Sequence, residues 1–294
     1  MTVQSKEERV FDVINYTIMS FIVLIVLYPL YYIVIASVSG PDAINSGRVW
    51  IWPVDFTLEG YKRIFNDSQI LIGYRNVLIY TFFGTILNIM LTMMLAYALS
   101  RKKFFLKKAL MIYITITMYF NGGIIPTYLI VKGLGLYNSW LVMIIMEAVN
   151  VFNVILARTF IQTSIPEELY EASVIDGCSH TKYFVKIVLP LSKTIIAILV
   201  LYYGIQHWND YYNAMIYLSD ANKQPLQLIL RRILILNQSN ENMIRDVVGE
   251  GQRRRIADLI KFGVIIVSSA PALILYPFLQ RFFVRGIMIG SLKG

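Results

Sequence analysis

The sequence predicts an all-α integral membrane protein with six transmembrane helices, and its composition, apolar runs and basic loops each favour this fold class. Hydrophobic residues make up 57% of the 294-residue chain and charged residues only 15%, well below the roughly 25% of soluble domains. Six apolar runs reach the length of about 20 residues that a helix needs to cross the hydrocarbon core. The formal charge of +9 fits loops that flank a bilayer and does not indicate nucleic-acid binding.

Polar segments separate the six predicted spans and form both ends of the chain. The spans comprise residues 16–38, 77–99, 109–131, 139–161, 193–218 and 258–284, with polar tails of residues 1–15 and 285–294. The first run is longer than the core of a signal peptide, so we expect it to remain as a membrane helix. The third span contains Asn121-Gly122-Gly123 and Pro126, a break that a membrane tolerates only where the backbone is packed in protein or lines water.

The short loop after the second span predicts the orientation of the chain. Its nine residues include five basic ones, Arg101, Lys102, Lys103, Lys107 and Lys108, and a short basic loop indicates the cytoplasmic side. With six spans, both termini then lie in the cytoplasm. The loop 219–257 lies outside despite its seven basic residues, because long loops determine orientation more weakly than short ones.

The polar segment 162–192, between the fourth and fifth spans, predicts two short helices on the cytoplasmic side. Pro166 suits the first turn of a helix, and Gly177 suits a left-handed C-terminal cap. A second helix is predicted to begin near Ser179 or Thr181. Its apolar stripe comprises Tyr183, Phe184, Ile187 and Val188.

This segment resembles the EAA loop of ABC importer permeases. The resemblance is carried by Glu171-Ala172-Ser173, by Gly177 and by Ile187-Val188-Leu189-Pro190, with Ser173 where the family has a second alanine. It implies a type I ABC importer permease fold and a loop that couples the permease to a cytoplasmic ATPase. The implied coupling residues are Glu168, Glu171, Ala172, Asp176, Gly177, Tyr183, Phe184, Leu189 and Pro190. The alternative interpretation is an ordinary amphipathic cytoplasmic loop.

The chain lacks the sequence features of an ATPase or a metalloenzyme. The stretch 177–182 does not have the spacing of a P-loop, and no His, Cys and carboxylate pattern indicates a metal site. We therefore expect a transport subunit that is not an enzyme and that holds no cofactor. The resemblance implies that ATP and Mg²⁺ are bound by the partner ATPase.

Polar side chains inside the predicted spans are candidates for a substrate pathway, since ionisable groups within a membrane are usually functional. Glu147, Asn150 and Asn153 recur every three residues in the fourth span and are expected to share one helix face. The further candidates are Asn88, Tyr119, Asn121, Trp208, Asn209 and Tyr212. The alternatives are hydrogen bonds between helices for the polar groups and an interfacial belt for the aromatic rings.

Further runs resemble the carbohydrate-type permeases, in particular the oligosaccharide branch related to the maltose importer. They are Trp208-Asn209, residues 215–218, Pro225-Leu226-Gln227 and residues 280–294, while residues 121–128 resemble permeases for plant-polysaccharide fragments. The resemblance implies a multi-pass protein of the bacterial cytoplasmic membrane that imports an oligosaccharide. It also implies a heterodimer with a second, homologous permease, two ATPase subunits and an extracytoplasmic solute-binding protein. That protein is expected to dock on the loop 219–257, with Gln227, Arg231 and Arg232 as candidate contacts. The alternative is a solvated loop whose charges have no partner role.

Two other functions fit the same sequence. One is an ABC permease for another small polar solute, such as an amino acid or phosphate. The other is a secondary carrier driven by an ion gradient, a class that often shows repeated halves and ion sites at mid-membrane.

Overall fold

Helices are the main regular elements of the computed structural model, which describes residues 6–233, 260–271, 273, 274 and 277. The helices are α1 Lys6–Ser37, α2 Pro41–Asn45, α3 Glu59–Asn66, α4 Ser68–Ser100, α5 Lys107–Tyr119, α6 Ile124–Gly133, α7 Trp140–Ile145, α8 Val151–Ser164, α9 Glu167–Ile175, α10 His180–Leu191, α11 Lys193–Trp208, α12 Tyr212–Tyr217, α13 at residues 226–233 and α14 Ile260–Pro271. The predicted tail 285–294 and parts of the segments 219–257 and 258–284 lie outside the described residues.

Two described helices, Glu7–Ser37 and Ser68–Ser100, are each long and apolar enough to cross a membrane, with mean hydropathies of 2.5 and 1.8. Two bent pairs could add one crossing each. The axes of α5 and α6 differ by 115°, and those of α10 and α11 by 80°. The second bend follows Leu189-Pro190-Leu191, where the sequence predicts a turn into the next span.

The chain divides into two compact units, of which the first comprises Met1–Asp67 with Arg232–Ala270. Its long helix α1 exposes apolar side chains from Val10 to Val34, as suits a helix that contacts lipid. A small core of Ile35, Ala43 and Val49 closes the end of this helix. The Tyr61 hydroxyl donates to Ser37 Oγ at 2.8 Å and ties α3 to the same end.

The second unit comprises Ser68–Arg231 with the described residues from Pro271 onwards, and α4 is its central helix. α4 packs against α7, α8 and α11. At Gly84 the approach is so close that an added Cβ would collide with the His207 ring on α11. Small residues allow membrane helices to approach in this way. Further along the same interface, the Thr92 and Tyr203 hydroxyls share a hydrogen bond of 2.6 Å.

Three predicted spans are interrupted in the structure. Residues 109–131 fall on α5 and α6, with the break at 120–123, where the sequence has Asn121-Gly122-Gly123. Residues 139–161 fall on α7 and α8, and residues 193–218 fall on α11 and α12.

The break in the fourth predicted span corrects one expectation. Glu147, Asn150 and Asn153 do not share the face of one continuous helix. Glu147 has a φ of 55° and lies in the turn after α7, whereas Asn150 caps the N-terminus of α8. The sequence has no glycine or proline at this break. Hydrogen bonds from other helices stabilise it instead.

Candidate functional site

Backbone hydrogen bonds shape the predicted coupling loop, residues 162–192, which contains α9 and α10. The chain leaves α9 through a left-handed Gly177 with a φ of 67°. Its N–H donates to the Val174 carbonyl at 3.0 Å, and the Cys178 N–H donates to the Ser173 carbonyl at 2.8 Å. These two bonds form a Schellman motif, which satisfies the last carbonyls of the helix. Ser179 then caps α10 by accepting the Lys182 N–H at 3.3 Å.

The inner face of the coupling loop is continuous with the core of the second unit. Tyr183 and Val188 are fully buried with residues of α4, α8 and α11, including Met93, Ile161 and Leu199. Phe184, Ile187 and Leu189 pack against the same cluster. The predicted apolar stripe therefore anchors the loop to three helices. Tyr183 contributes to this anchoring and not to an outer surface, because none of its surface is exposed.

The outer face of α9 is exposed and carries most of the other predicted coupling residues. Glu168, Glu171, Ala172, Asp176 and Gly177 are exposed, as is Pro190 further along the loop. Leu169, Val174 and Ile175 also lie exposed on α9, Ile175 to 86%. Exposed apolar groups among acidic ones are typical of a protein interface. Sequence reasoning missed these three residues. Ile175 lies opposite the inward-facing Tyr170 and Ser173, and Leu169 and Val174 lie on either side of them.

A second group of functional candidates meets at the break between α7 and α8. The Glu147 Oε2 atom accepts a hydrogen bond of 2.6 Å from Gln206 Nε2 on α11. Its carbonyl accepts one of 3.5 Å from Asn88 Nδ2 on α4. The Asn150 side chain accepts the Asn153 N–H at 3.2 Å. The structure thus brings together four of the predicted pathway residues, with the Glu147 side chain exposed.

Tyr203 is the residue that holds this break in place. Its hydroxyl oxygen accepts the backbone N–H of Asn150 at 3.2 Å and lies 2.6 Å from Thr92 Oγ1. Irregular backbone at membrane depth needs such partners or water. Sequence reasoning missed Thr92, Tyr203 and Gln206, because isolated tyrosines and threonines in an apolar run resemble core residues.

The remaining pathway candidates lie on separate elements. Trp208 is 8% exposed and packs edge-on against Tyr74, with the ring centres 6.4 Å apart, so it is part of the core. The Asn209 side chain donates to the Ile205 carbonyl at 3.0 Å. Exposed candidates elsewhere are Tyr119, Asn121 and Tyr212.

The predicted docking residues Gln227, Arg231 and Arg232 all lie on α13. The Arg231 guanidinium stacks over the Tyr211 ring at 5.1 Å. Asn222 and Gln224 lie just before α13. Their carbonyls accept hydrogen bonds of 2.8 and 3.0 Å from Asn76 Nδ2 on α4. These bonds fix the start of the predicted outer loop to α4.

In the part of the chain that the structure describes, long apolar helices, broken apolar helices and an anchored polar loop fit a membrane transport protein. Residues 88–289 match the family described as the binding-protein-dependent transport system inner membrane component, and the chain belongs to this family. It is 36% identical to the polygalacturonan/rhamnogalacturonan transport system permease protein YtcP of Bacillus subtilis, over 98% of this chain and all of that protein. It is also 36% identical to protein LplC of Bacillus subtilis, over 99% of this chain and 97% of that protein.

A solved structure is similar over nearly the whole chain. It is a bacterial ABC transporter involved in the import of the acidic polysaccharide alginate, with 30% identity and a TM-score of 0.86 over 96% of this chain and 100% of the matched chain. The maltodextrin transport system permease protein MdxG of Bacillus subtilis is 25% identical over 95% of each chain. These comparisons confirm the predicted resemblance to carbohydrate-type ABC importer permeases.

Proposed function

We propose that this chain is the transmembrane permease subunit of an ATP-driven importer for oligosaccharides released from complex polysaccharides. The observation that carries the proposal is the geometry of α9. Its outer face is acidic and apolar and is free to contact a partner, while the inner face of the loop packs on α4, α8 and α11. A force applied to α9 therefore reaches three helices of the permease.

The assembly that we propose has four kinds of subunit. A second, homologous permease forms a heterodimer with this chain. Two ATPase subunits bind ATP and Mg²⁺, and one of them contacts the α9 loop. An extracytoplasmic solute-binding protein docks on the segment 219–257, where α13 presents Gln227, Arg231 and Arg232. The permease is multi-pass in the bacterial cytoplasmic membrane, with six spans and both termini in the cytoplasm.

The proposed mechanism is alternating access. Closure of the ATPase subunits displaces α9 and α10, and the shared core carries this motion into α4, α8 and α11. The polar residues at the α7–α8 break are then exposed first to one side of the membrane and then to the other. Glu147, Gln206 and Asn150 offer acceptors and donors that suit the hydroxyl groups of a sugar.

The substrates of the similar permeases support an oligosaccharide as the substrate of this chain. These relatives include permeases for polygalacturonan and rhamnogalacturonan, for melibiose, raffinose and stachyose, and for maltodextrin. A permease for sn-glycerol-3-phosphate is similar at 26% identity, which supports a smaller polar solute as the second candidate.

Purification of the tagged chain from its own cells, followed by reconstitution of the complex in proteoliposomes, tests the proposal. We expect two ATPase subunits and a second permease to co-purify, and sugar uptake to require both ATP and the binding protein. Competition by glycerol phosphate, amino acids or phosphate, but not by oligosaccharides, would identify the smaller solute instead. Uptake that persists without ATP and collapses with the ion gradient would identify a secondary carrier.

A further inference from the structure

We infer that Arg101 is a positioning residue that joins the cytoplasmic end of α4 to the coupling helix α9. The inference rests on the proposed coupling to an ATPase. In the sequence Arg101 is one of five basic residues in a short loop, and the sequence indicates only the orientation of that loop. In the structure it differs from its neighbours, because it is 8% exposed, whereas Lys102 and Lys103 are exposed.

Three aromatic rings surround the Arg101 guanidinium. Its central carbon lies 5.1 Å from the centre of the Tyr97 ring on α4, 5.2 Å from that of Tyr170 on α9 and 5.8 Å from that of Tyr183 on α10. A cation within about 6 Å of an aromatic face is attracted by the ring. One side chain from the end of α4 thus contacts both helices of the coupling loop.

Among the described residues, Arg101 has one carboxylate within ion-pair distance, and it also belongs to α9. Arg101 Nη1 lies 3.9 Å from Glu167 Oε2, and the Glu167 side chain is 28% exposed. Burial raises the pKa of the Tyr183 hydroxyl, and the neighbouring Arg101 charge opposes this shift. A buried charge is costly unless it is paired. The rings and the carboxylate together therefore hold the α4 terminus against α9.

His180 extends the same cluster to the start of α10. Its ring stacks on Tyr170, with the ring centres 5.5 Å apart, and its two nitrogens lie 3.3 Å from the Tyr170 hydroxyl and 3.4 Å from the Tyr97 hydroxyl. The junction therefore contains the first residues of both coupling helices and the last turn of α4.

α4 connects this junction to the group at the α7–α8 break. Asn88 lies 13 residues before Arg101, which is about 20 Å along a helix at a rise of about 1.5 Å per residue. Asn88 donates to the Glu147 carbonyl, and Thr92, one turn later, bonds to Tyr203. A displacement of α9 that moves Arg101 therefore shifts both of these contacts through one continuous helix.

The test compares three variants in the reconstituted complex, with ATP hydrolysis and sugar uptake measured on the same proteoliposomes. For Arg101→Gln we expect assembly and basal ATP hydrolysis to be retained, and the sugar imported per ATP to fall roughly tenfold, within the usual range of coupling between sites. Arg101→Lys keeps the charge but lacks the planar guanidinium, so we expect partial loss. The matched control Lys103→Gln, which removes an exposed charge from the same loop, should behave as the unmodified complex.

Glu167→Gln provides an independent measurement, because it removes the counter-ion and leaves Arg101 in place. We expect the same loss of sugar imported per ATP. Unchanged coupling in Arg101→Gln would overturn the inference, and so would loss of assembly in Arg101→Gln, Arg101→Lys and Glu167→Gln alike, which would assign the cluster to folding. Failure of the proposed function is distinct, because the unmodified complex would then show no ATP-dependent uptake.

Discussion

At the scale of single residues, Glu147 has the most unusual environment. It has a positive φ without being glycine, a conformation that costs on the order of 1–3 kcal/mol and persists only where the surroundings enforce it. Its carboxylate lies in an apolar segment and is bonded to Gln206. A strained backbone and a carboxylate within a predicted span, at the same residue, favour a functional role.

Replacement of Glu147 by Gln tests this role. The variant keeps the shape of the side chain and removes its charge, so assembly should be unchanged. We expect the KM for sugar uptake to rise on the order of tenfold, because hydrogen bonds to a charged group are worth about 1.5–3 kcal/mol. Glu59→Gln is the control, since Glu59 is an exposed carboxylate on α3 paired with Arg63. Uptake by the Glu147 variant at the normal KM would contradict a pathway role.

The sequence could predict which residues to examine here, but not their arrangement. Glu147 and Asn150 were identifiable because polar groups are costly inside a membrane. The helix break between them was not, because Tyr203 and Asn88, which lie more than 50 positions away in the sequence, supply its hydrogen bonds. The roles of Thr92 and Gln206 depend on the same long-range packing.

At the scale of elements, the coupling loop was the most predictable part of the chain. The end of α9 before Gly177 and the cap of α10 at Ser179 were predicted from local chemistry. Pro166 was predicted in the first turn of α9 but lies one residue earlier, as the extended N-cap before Glu167. The exposed apolar residues of α9 were not predicted, because nothing in the sequence shows which face of a short helix its own chain covers. Their exposure supports a partner that contacts α9.

Gly177 allows the two roles of this loop to be separated. No heavy atom of the described residues lies within 4 Å of a Cβ added there, so among these residues only the positive φ restricts this position. Asn adopts this conformation more readily than most residues, and Gly177→Asn should therefore fold. If an ATPase approaches the backbone closely, both Gly177→Asn and Gly177→Asp should lose ATPase association and uptake while the permease stays in the membrane.

Gly135→Asn is the matched control for this experiment. Gly135 has a φ of 71° and equally open surroundings, but it lies in the short loop between α6 and α7. We expect this variant to transport normally. Normal uptake by Gly177→Asn would indicate that Gly177 serves only as a helix cap and would count against a close contact with the ATPase.

At the scale of the whole molecule, the orientation of the chain decides whether the proposed coupling is geometrically feasible. The basic loop at Lys103 and the α9 loop must lie on the cytoplasmic side, with Trp50 outside. The bent pair of α5 and α6, and the interrupted pair of α7 and α8, complicate the count of crossings. A bent pair can be either one broken span or a loop that re-enters the same side.

Labelling of single cysteines with a membrane-impermeant maleimide resolves this count. Cys178 is the only cysteine and is partly exposed, so it should react in inside-out vesicles and not in right-side-out ones. In a Cys178→Ser background, Lys103→Cys should react from the inside, whereas Trp50→Cys and Leu134→Cys, at sites that are each 69% exposed, should react from the outside. Detergent-solubilised protein, in which all four cysteines should react, is the control.

Reaction of Leu134→Cys from the inside would make α5 and α6 a re-entrant pair. Reaction of Cys178 from the outside would place α9 beyond the reach of any cytoplasmic ATPase.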